Sequence, residues 1–160
     1  SWKTIVLPVP DGAVSAVLQQ VAISGNRVVV LGQATPETGA AAGAIIPFAE
    51  VSVDGGANWQ QAAFSSPGPG TAFTAVTADS AGFTAAGLFG PPGQRNVAVW
   101  TSATGTSWAP SQASGMSGAG TWEITALARS GAAVTGIGLV ATQQSQQIVT
   151  LTLTRPLAVP

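Results

Sequence analysis

The sequence predicts an all-β repeat protein, and three observations carry that expectation. Gly and Pro, 20 and 11 of 160 residues, punctuate the chain so often that helix signals are almost absent. Short apolar runs recur between turn residues, as in an all-β repeat or a sandwich. Three segments share one pattern of strand, tight turn, strand and closing glycine, at a spacing near 50 residues.

The elements follow in order. Trp2–Leu7 opens the chain as a strand. Ala16–Ile23 and Val28–Leu31 flank the turn Ser24-Gly25-Asn26, and Ile45–Val53 follows as a third strand. Phe73–Ala78 and Phe83–Leu88 flank Ser80-Ala81-Gly82, with Val97–Trp100 after them. Ile124–Leu127 and Ala133–Val140 flank Ser130-Gly131, with Ile148–Leu153 last. These runs suit a pleated, half-buried surface.

Stacking Val21–Gly32, Val76–Gly87 and Thr125–Gly136 aligns their closing glycines, Gly32, Gly87 and Gly136, which lie 55 and 49 residues apart. A period of about 50 residues is in the range of propeller blades, in which four strands make one blade. A second landmark follows the first hairpin. Ser52-Val53-Asp54-Gly55-Gly56-Ala57-Asn58-Trp59 matches S-x-D-x-G-x-x-W. Thr101-Ser102-Ala103-Thr104-Gly105-Thr106-Ser107-Trp108 reads as a degraded copy, with Thr101 for Ser52 and Ala103 for Asp54. The pattern resembles the Asp-box, or bacterial-neuraminidase, repeat. That resemblance implies a β-propeller in which the box is the turn between the third and fourth strands of a blade. It also implies that the boxes lie on the face opposite the ligand site. The box chemistry is structural: Asp54 accepts backbone N–H groups of its own turn, Gly56 takes a positive φ, and Trp59 buries its ring between blades.

The chain then reads as a single repeat domain over 1–160. Its blades span about 16–64, 72–112 and 121–154, the last completed by an N-terminal strand at 2–7. Trp2 stands 57 residues before Trp59, and Trp59 stands 49 before Trp108, so Trp2 reads as the missing box tryptophan of the third blade. Strand Trp2–Leu7 is expected to pair with Ile148–Thr154, within the chain or by exchange between chains. Three blades do not close a ring, since propellers use about 4–8. A homodimer making a six-bladed ring is the expected answer. A fragment of a longer polypeptide and a β-sandwich are the alternatives.

Composition excludes several function classes. The chain has no His, Cys or Tyr. It therefore offers no Ser-His-Asp triad, no thiol chemistry, no disulfide and no His-ligated zinc. Five Lys and Arg against six Asp and Glu give a net charge of −1, which is no footprint for nucleic acid. Mean hydropathy is +0.38, yet no run of roughly 20 apolar residues offers a membrane span. No cofactor and no metal site is expected. The Ala, Gly, Thr and Val bias with few lysines suggests an extracellular or cell-surface bacterial protein, and the Ser1-Trp2 opening is read as a processed or excised end.

Propeller ligands are expected at the loops between blades and between second and third strands. In those loops the chemistry-bearing residues are Asp11, Glu37, Arg95 and Asn96, with Trp122 and Glu123 opening a strand. Arg95, Asn96, Trp122, Glu123 and Asp11 are the candidate ligand set: an aromatic face for apolar sugar surface and charges for hydroxyls. The competing reading makes Trp122 inter-blade core and Arg95 a solvated cation. No catalytic residues are assigned. The sialidases of the resembled family need a Tyr nucleophile, which is absent. A glycosidase pair needs two carboxylates about 5–10 Å apart, and no two acids here share a recognisable context. The expected function is a non-catalytic binding or scaffold module for a glycan or protein. A fragment of a glycan-acting enzyme and a self-assembling structural repeat are the alternatives.

Overall fold

The computed structural model describes residues 4–37, 45–65, 70–111, 118–131 and 133–154. Among them the chain is all strand and turn, with no helix. Strands β1 (Ala13–Ser24), β2 (Arg27–Pro36), β3 (Ile46–Ser52) and β4 (Gln60–Gln61) form an antiparallel sheet in sequence order. The second sheet contains β6 (Ala72–Asp79), β7 (Gly82–Phe89), β8 (Asn96–Ser102) and β9 (Ser107–Ser111), again in sequence order. Strand β5 (Ala63–Phe64) adds to its outer edge, parallel to β9. The third sheet is β10 (Thr121–Ser130), β11 (Ala133–Ala141) and β12 (Gln146–Thr154).

The sheets stack through their first strands. β6 packs against β1, β2 and β3 on one side, and β10 packs against β6, β7 and β8 on the other. The first strand of each sheet is therefore innermost and the last outermost, the arrangement of propeller blades. The parallel β5–β9 pair follows from it, because outer strands of successive blades run the same way. β4 and β5 are one outer strand shared between two blades: Gln60–Gln61 pair with β3, and Ala63–Phe64 cross to β9.

One local device recurs in all three sheets. The inner strand carries a one-residue bulge, at Gln19, Thr74 and Thr125. Opposite the residue before each bulge, the second strand has a glycine: Gly32 faces Leu18, Gly87 faces Phe73 and Gly138 faces Ile124. A Cβ on these glycines would collide with the carbonyl oxygen of Val17, Ala72 or Glu123 respectively. The glycines thus permit a close backbone approach across the bulge. The Thr74 and Thr125 hydroxyls close the gap, donating to the carbonyls of Ala86 and Ile137 at 3.4 and 3.2 Å.

This register corrects one expectation. The third-sheet counterpart of Gly32 and Gly87 is Gly138, not Gly136, and the bulge-facing glycines lie 55 and 51 residues apart. Two glycines spaced by two residues share one face of β11, so sequence stacking could slide from one to the other. Of the two, only Gly138 would collide with backbone. Gly136 faces the side chains of Leu127 and Ile124 at 3.0 and 3.1 Å.

Two apolar cores fill the stack. Between the first and second sheets lie Val29, Leu31, Val51, Phe73, Phe83, Trp100 and Trp108, with Phe64 and Val76 at their margin. Phe73 meets Trp100 edge-on at 5.1 Å, and the Trp100 Nε1 donates to the Ser65 carbonyl at 2.9 Å. Between the second and third sheets lie Ala75, Ala86, Val97, Val99, Ile124 and Leu151.

Of the two pairings expected for the terminal strand, the one within the chain does not form among the described residues. Residues 4–7 carry no ladder pairing, and β12 pairs with β11 alone among the described residues. Trp2 and Lys3 lie outside the described residues. The segment sits at the opposite end of the stack from β12. Ile5 Cδ1 lies 3.8 Å from the Cβ position of Gly56, beside the first sheet's outer turn.

Adding a methyl at Gly138 should be far more damaging than adding one at Gly136. Gly138→Ala is expected to cost about 1–3 kcal/mol, the range for overpacking, because the obstacle is backbone. Gly136→Ala should cost less, since side chains can yield. Urea unfolding midpoints of the two variants decide between the two registers.

Candidate functional site

The stack has two ends with different chemistry. One end collects the β1–β2, β6–β7 and β10–β11 turns and the Ser52–Trp59 turn. There the Asp54 carboxylate is saturated by its own loop. It accepts from the Asn58 backbone N–H at 2.9 Å, the Asn58 side-chain amide at 2.7 Å and the Ser52 hydroxyl at 2.7 Å. Ser52 Oγ in turn accepts from the Gly56 N–H at 2.7 Å. Gly56 has φ +94°, and Trp59 Nε1 donates to its carbonyl at 3.0 Å.

The second sheet builds a shorter version of the same turn. Ser102 Oγ accepts from the Gly105 N–H at 2.8 Å, and Trp108 Nε1 donates to the Gly105 carbonyl at 2.8 Å. Ser102 pairs with Phe83 as Ser52 pairs with Val28. The counterpart of Ser52 is therefore Ser102 rather than Thr101. Thr104 takes the place of Asp54, its hydroxyl accepting from the Thr106 N–H at 3.4 Å. The turn has lost one residue, and counting back from Trp108 without a gap misplaces it by one. Glycine remains obligatory at 105: its φ is +86°, and a Cβ would meet Val29 Cγ2 at 2.6 Å.

The tryptophans share a bond but not an environment. Trp108 is buried in the core, 6.2 Å from Phe83, whereas Trp59 is only half-buried. Trp108 lies between two sheets, while Trp59 stands at the end of the stack.

This end also staples the sheets together. Ser24 Oγ donates to the Asp79 carbonyl at 2.6 Å, and Arg129 Nε meets the Asp79 carboxylate at 2.5 Å. Arg27 reaches the Ala103 carbonyl at 3.4 Å. Two of the chain's arginines and two of its acids are thus occupied in turns and inter-sheet contacts.

The other end holds the cavities. A cavity of about 350 Å³ lies where the inner strands converge. Its lining includes all three bulge residues, Gln19, Thr74 and Thr125, with Gln20, Gln33, Arg95 and Glu123. The bulge is what delivers these side chains: the extra residue bends the strand and re-aims its side chain. Arg95 is fixed from behind, since its carbonyl accepts the Trp122 N–H at 2.8 Å. No ion pair within 4 Å links Arg95 to Glu123 among the described residues. A larger cleft of about 690 Å³ lies between the second and third sheets, lined by Gly93, Gln94, Gly120, Thr121, Thr142 and Gln144.

The candidate ligand residues divide accordingly. Arg95 and Glu123 line one cavity together. Trp122 packs against the core between the second and third sheets, with its Nε1 buried and unpartnered among the described residues. Asn96 opens β8 half-buried, and Asp11 is exposed in the turn before β1; neither lines either of these two cavities. Gln19, Gln20, Gln33, Thr74 and Thr125 were missed by sequence reasoning. Three of them are bulge residues, a feature that apolar periodicity does not mark. Among the described residues no cluster of three metal-ligating side chains occurs.

No protein-family profile matches the chain, and no curated protein matches it. Solved structures do. The β-fructofuranosidase from Schwanniomyces occidentalis, complexed with fructosyl-erythritol, superposes over 91% of this chain and 35% of its own, with a TM-score of 0.55 and 9% identity. The structure described as YCF48 bound to D1 peptide covers 91% and 41%, with a TM-score of 0.46 and 16% identity. The Bombyx mori GH32 β-fructofuranosidase BmSUC1 covers 90% and 35%, with a TM-score of 0.49 and 14% identity. The neighbours are β-propeller proteins, and the fold of this chain is a set of β-propeller blades. The chain spans between a third and about two fifths of their lengths.

Two outcomes follow for the turn. The Asn58 N–H first, then its side-chain amide and the Ser52 hydroxyl, lower the Asp54 carboxyl from 3.8 to about 2. A depressed carboxylate stabilises above its unfolded pKa and loses that contribution as pH falls through its folded pKa. Wild type should therefore lose stability between about pH 4 and pH 2, and Asp54→Asn should flatten that loss in an acid titration followed by tryptophan fluorescence. Trp108→Ala should cost about 3–5 kcal/mol as a buried truncation. Trp59→Ala should cost clearly less, by denaturant midpoint.

Proposed function

We propose that this chain is a non-catalytic propeller module that binds a hydroxyl-rich ligand, a glycan segment, where its inner strands converge. The lining of the 350 Å³ cavity carries the reading. Gln19, Gln20 and Gln33 offer amide donors and acceptors, Thr74 and Thr125 offer hydroxyls, and Arg95 and Glu123 add one charge of each sign. Such a mixed set suits sugar hydroxyls, which donate and accept at once.

The acids support binding over hydrolysis. Glycoside cleavage uses two carboxylates flanking one bond. Glu123 is the one acid lining either cavity among the described residues. Asp54 and Asp79 are engaged at the opposite end of the stack, and Glu50 is buried.

The module is proposed to work as a homo-oligomer at the bacterial cell surface or outside the cell. Its solubility rests on Thr, Ser and Gln rather than charge, with 7% charged residues. The Ser52–Trp59 turn is assigned as an Asp box and the Ser102–Trp108 turn as its shortened relative, on the shared Ser-to-Gly and Trp-to-Gly hydrogen bonds. A second reading makes the chain part of a longer glycan-acting propeller whose catalytic groups lie on further blades. The open faces at both ends of the stack favour it.

The test is binding to a panel of neutral and acidic oligosaccharides, with Arg95→Ala, Glu123→Gln and Gln19→Ala as controls. Saturable binding, weakened at least tenfold by these changes and without release of reducing sugar, is the expected result. Binding that ignores all three substitutions, or hydrolysis by the 160-residue chain, would contradict the reading.

A further inference from the structure

We propose that two copies of this chain close one ring by exchanging N-terminal segments, residues 4–7 of each copy completing the third sheet of the other with Thr4 opposite Leu151. The proposal deepens the oligomeric reading above and rests on it.

Repeat equivalence shows that both end faces of the stack are built as blade interfaces. The ladder register makes Leu18, Val21 and Ile23 of β1 the counterparts of Phe73, Val76 and Ala78 of β6. The latter three pack into the core between the first and second sheets. The former are 48%, 60% and 63% exposed. At the other end, Ile137 and Ile148 correspond to Ala86 and Val97, which lie in the core between the second and third sheets. Ile148 is 88% exposed. Glu50 adds a further sign: it occupies the position of Trp100, and its Oε2 is buried with no hydrogen-bond partner among the described residues.

The missing pairing has both of its halves in this one sequence. The outer edge of β3 is covered by β4, with Glu50 opposite Gln61. Leu151 of β12 is the counterpart of Glu50, and its edge is uncovered among the described residues. Gln61 stands two residues after Trp59, and Thr4 stands two residues after Trp2. After Gln61 the chain crosses to the next sheet's outer turn, with Ala63 opposite Ser107. After Thr4 it does the same: Ile5 already lies beside the Gly56 turn of the first sheet. The segment is therefore seated on its own first sheet and lacks only a third-sheet edge. That edge is at the far end of the same stack, two inter-sheet spacings of about 10 Å away. A second copy presents it directly.

Ring closure selects the number of copies. Closed propellers have about 4–8 blades, and copies carrying the three described blades reach that range as a pair but not as a trimer. The two interfaces are then identical by two-fold symmetry, and no edge is left open. Strands β1, β6 and β10 wall only part of the central cavity, so the second copy also completes the candidate site.

Because the chain has no cysteine, a Thr4→Cys, Leu151→Cys double variant gives a direct readout. Sedimentation equilibrium should return twice 15.8 kDa, and oxidation should give a covalent dimer on a denaturing gel. Dimer mass without that cross-link would overturn strand exchange while leaving the oligomer reading in place. Single-chain mass, a disulfide formed within one chain, or a ladder of larger species would overturn the ring. Ile148→Asp changes an exposed side chain and should yield monomers with an unchanged far-UV spectrum. An Ile148→Asp dimer as tight as wild type would also overturn it.

Discussion

Each sheet of this protein depends on one backbone contact, a glycine in the second strand set against a carbonyl of the bulged inner strand. The contact leaves no room for a side chain at Gly32, Gly87 or Gly138. It bends the inner strand, and the bend aims Gln19, Thr74 and Thr125 toward the central cavity. It also fixes which residues face the next sheet. Beyond the bulge, Leu31 and Val29 face the second sheet, and Ala86 faces the third. Packing, stacking and the candidate site all follow from that register.

Charge is used sparingly and unevenly. At the turn end, Asp54 organises a loop, while Asp79 and Arg129 tie neighbouring sheets together. Polar groups there are consumed by structure. At the cavity end the lining is amide and hydroxyl, with Arg95 and Glu123 as its charges. One end holds the blades together, and the other carries the proposed ligand groups. The end faces of the stack are a third kind of surface. Ile137 and Ile148 stand on one of them where the equivalent positions elsewhere are core.

Much of the fold was legible in the sequence because strands and tight turns leave local marks. The three inner hairpins were placed by Ser24-Gly25-Asn26, Ser80-Ala81-Gly82 and Ser130-Gly131. The bulges left no such mark, since an extra residue shifts the alternation without changing composition. Gly136 could therefore pass for Gly138, and the glutamines lining the cavity stayed hidden. The Ser102–Trp108 turn was displaced by a one-residue deletion for a similar reason. Arg95 and Glu123 were legible as charged residues in a nearly uncharged chain. Trp122, read with them as a ligand platform, is partly buried and packs against the inter-sheet core. Asp11 and Asn96 were grouped with them by loop membership, which brings residues to one end of a stack but not into one cavity.

Amide hydrogen exchange along β12 tests the account most directly. Alternate amides of Gln146–Thr154 face β11, and those between them face the open edge. Completion of the sheet by a second copy predicts slow exchange for both sets around Leu151, with protection of the outer set lost on dilution. Outer amides that exchange at the rate of free peptide at every protein concentration, while the inner set stays protected, would contradict it.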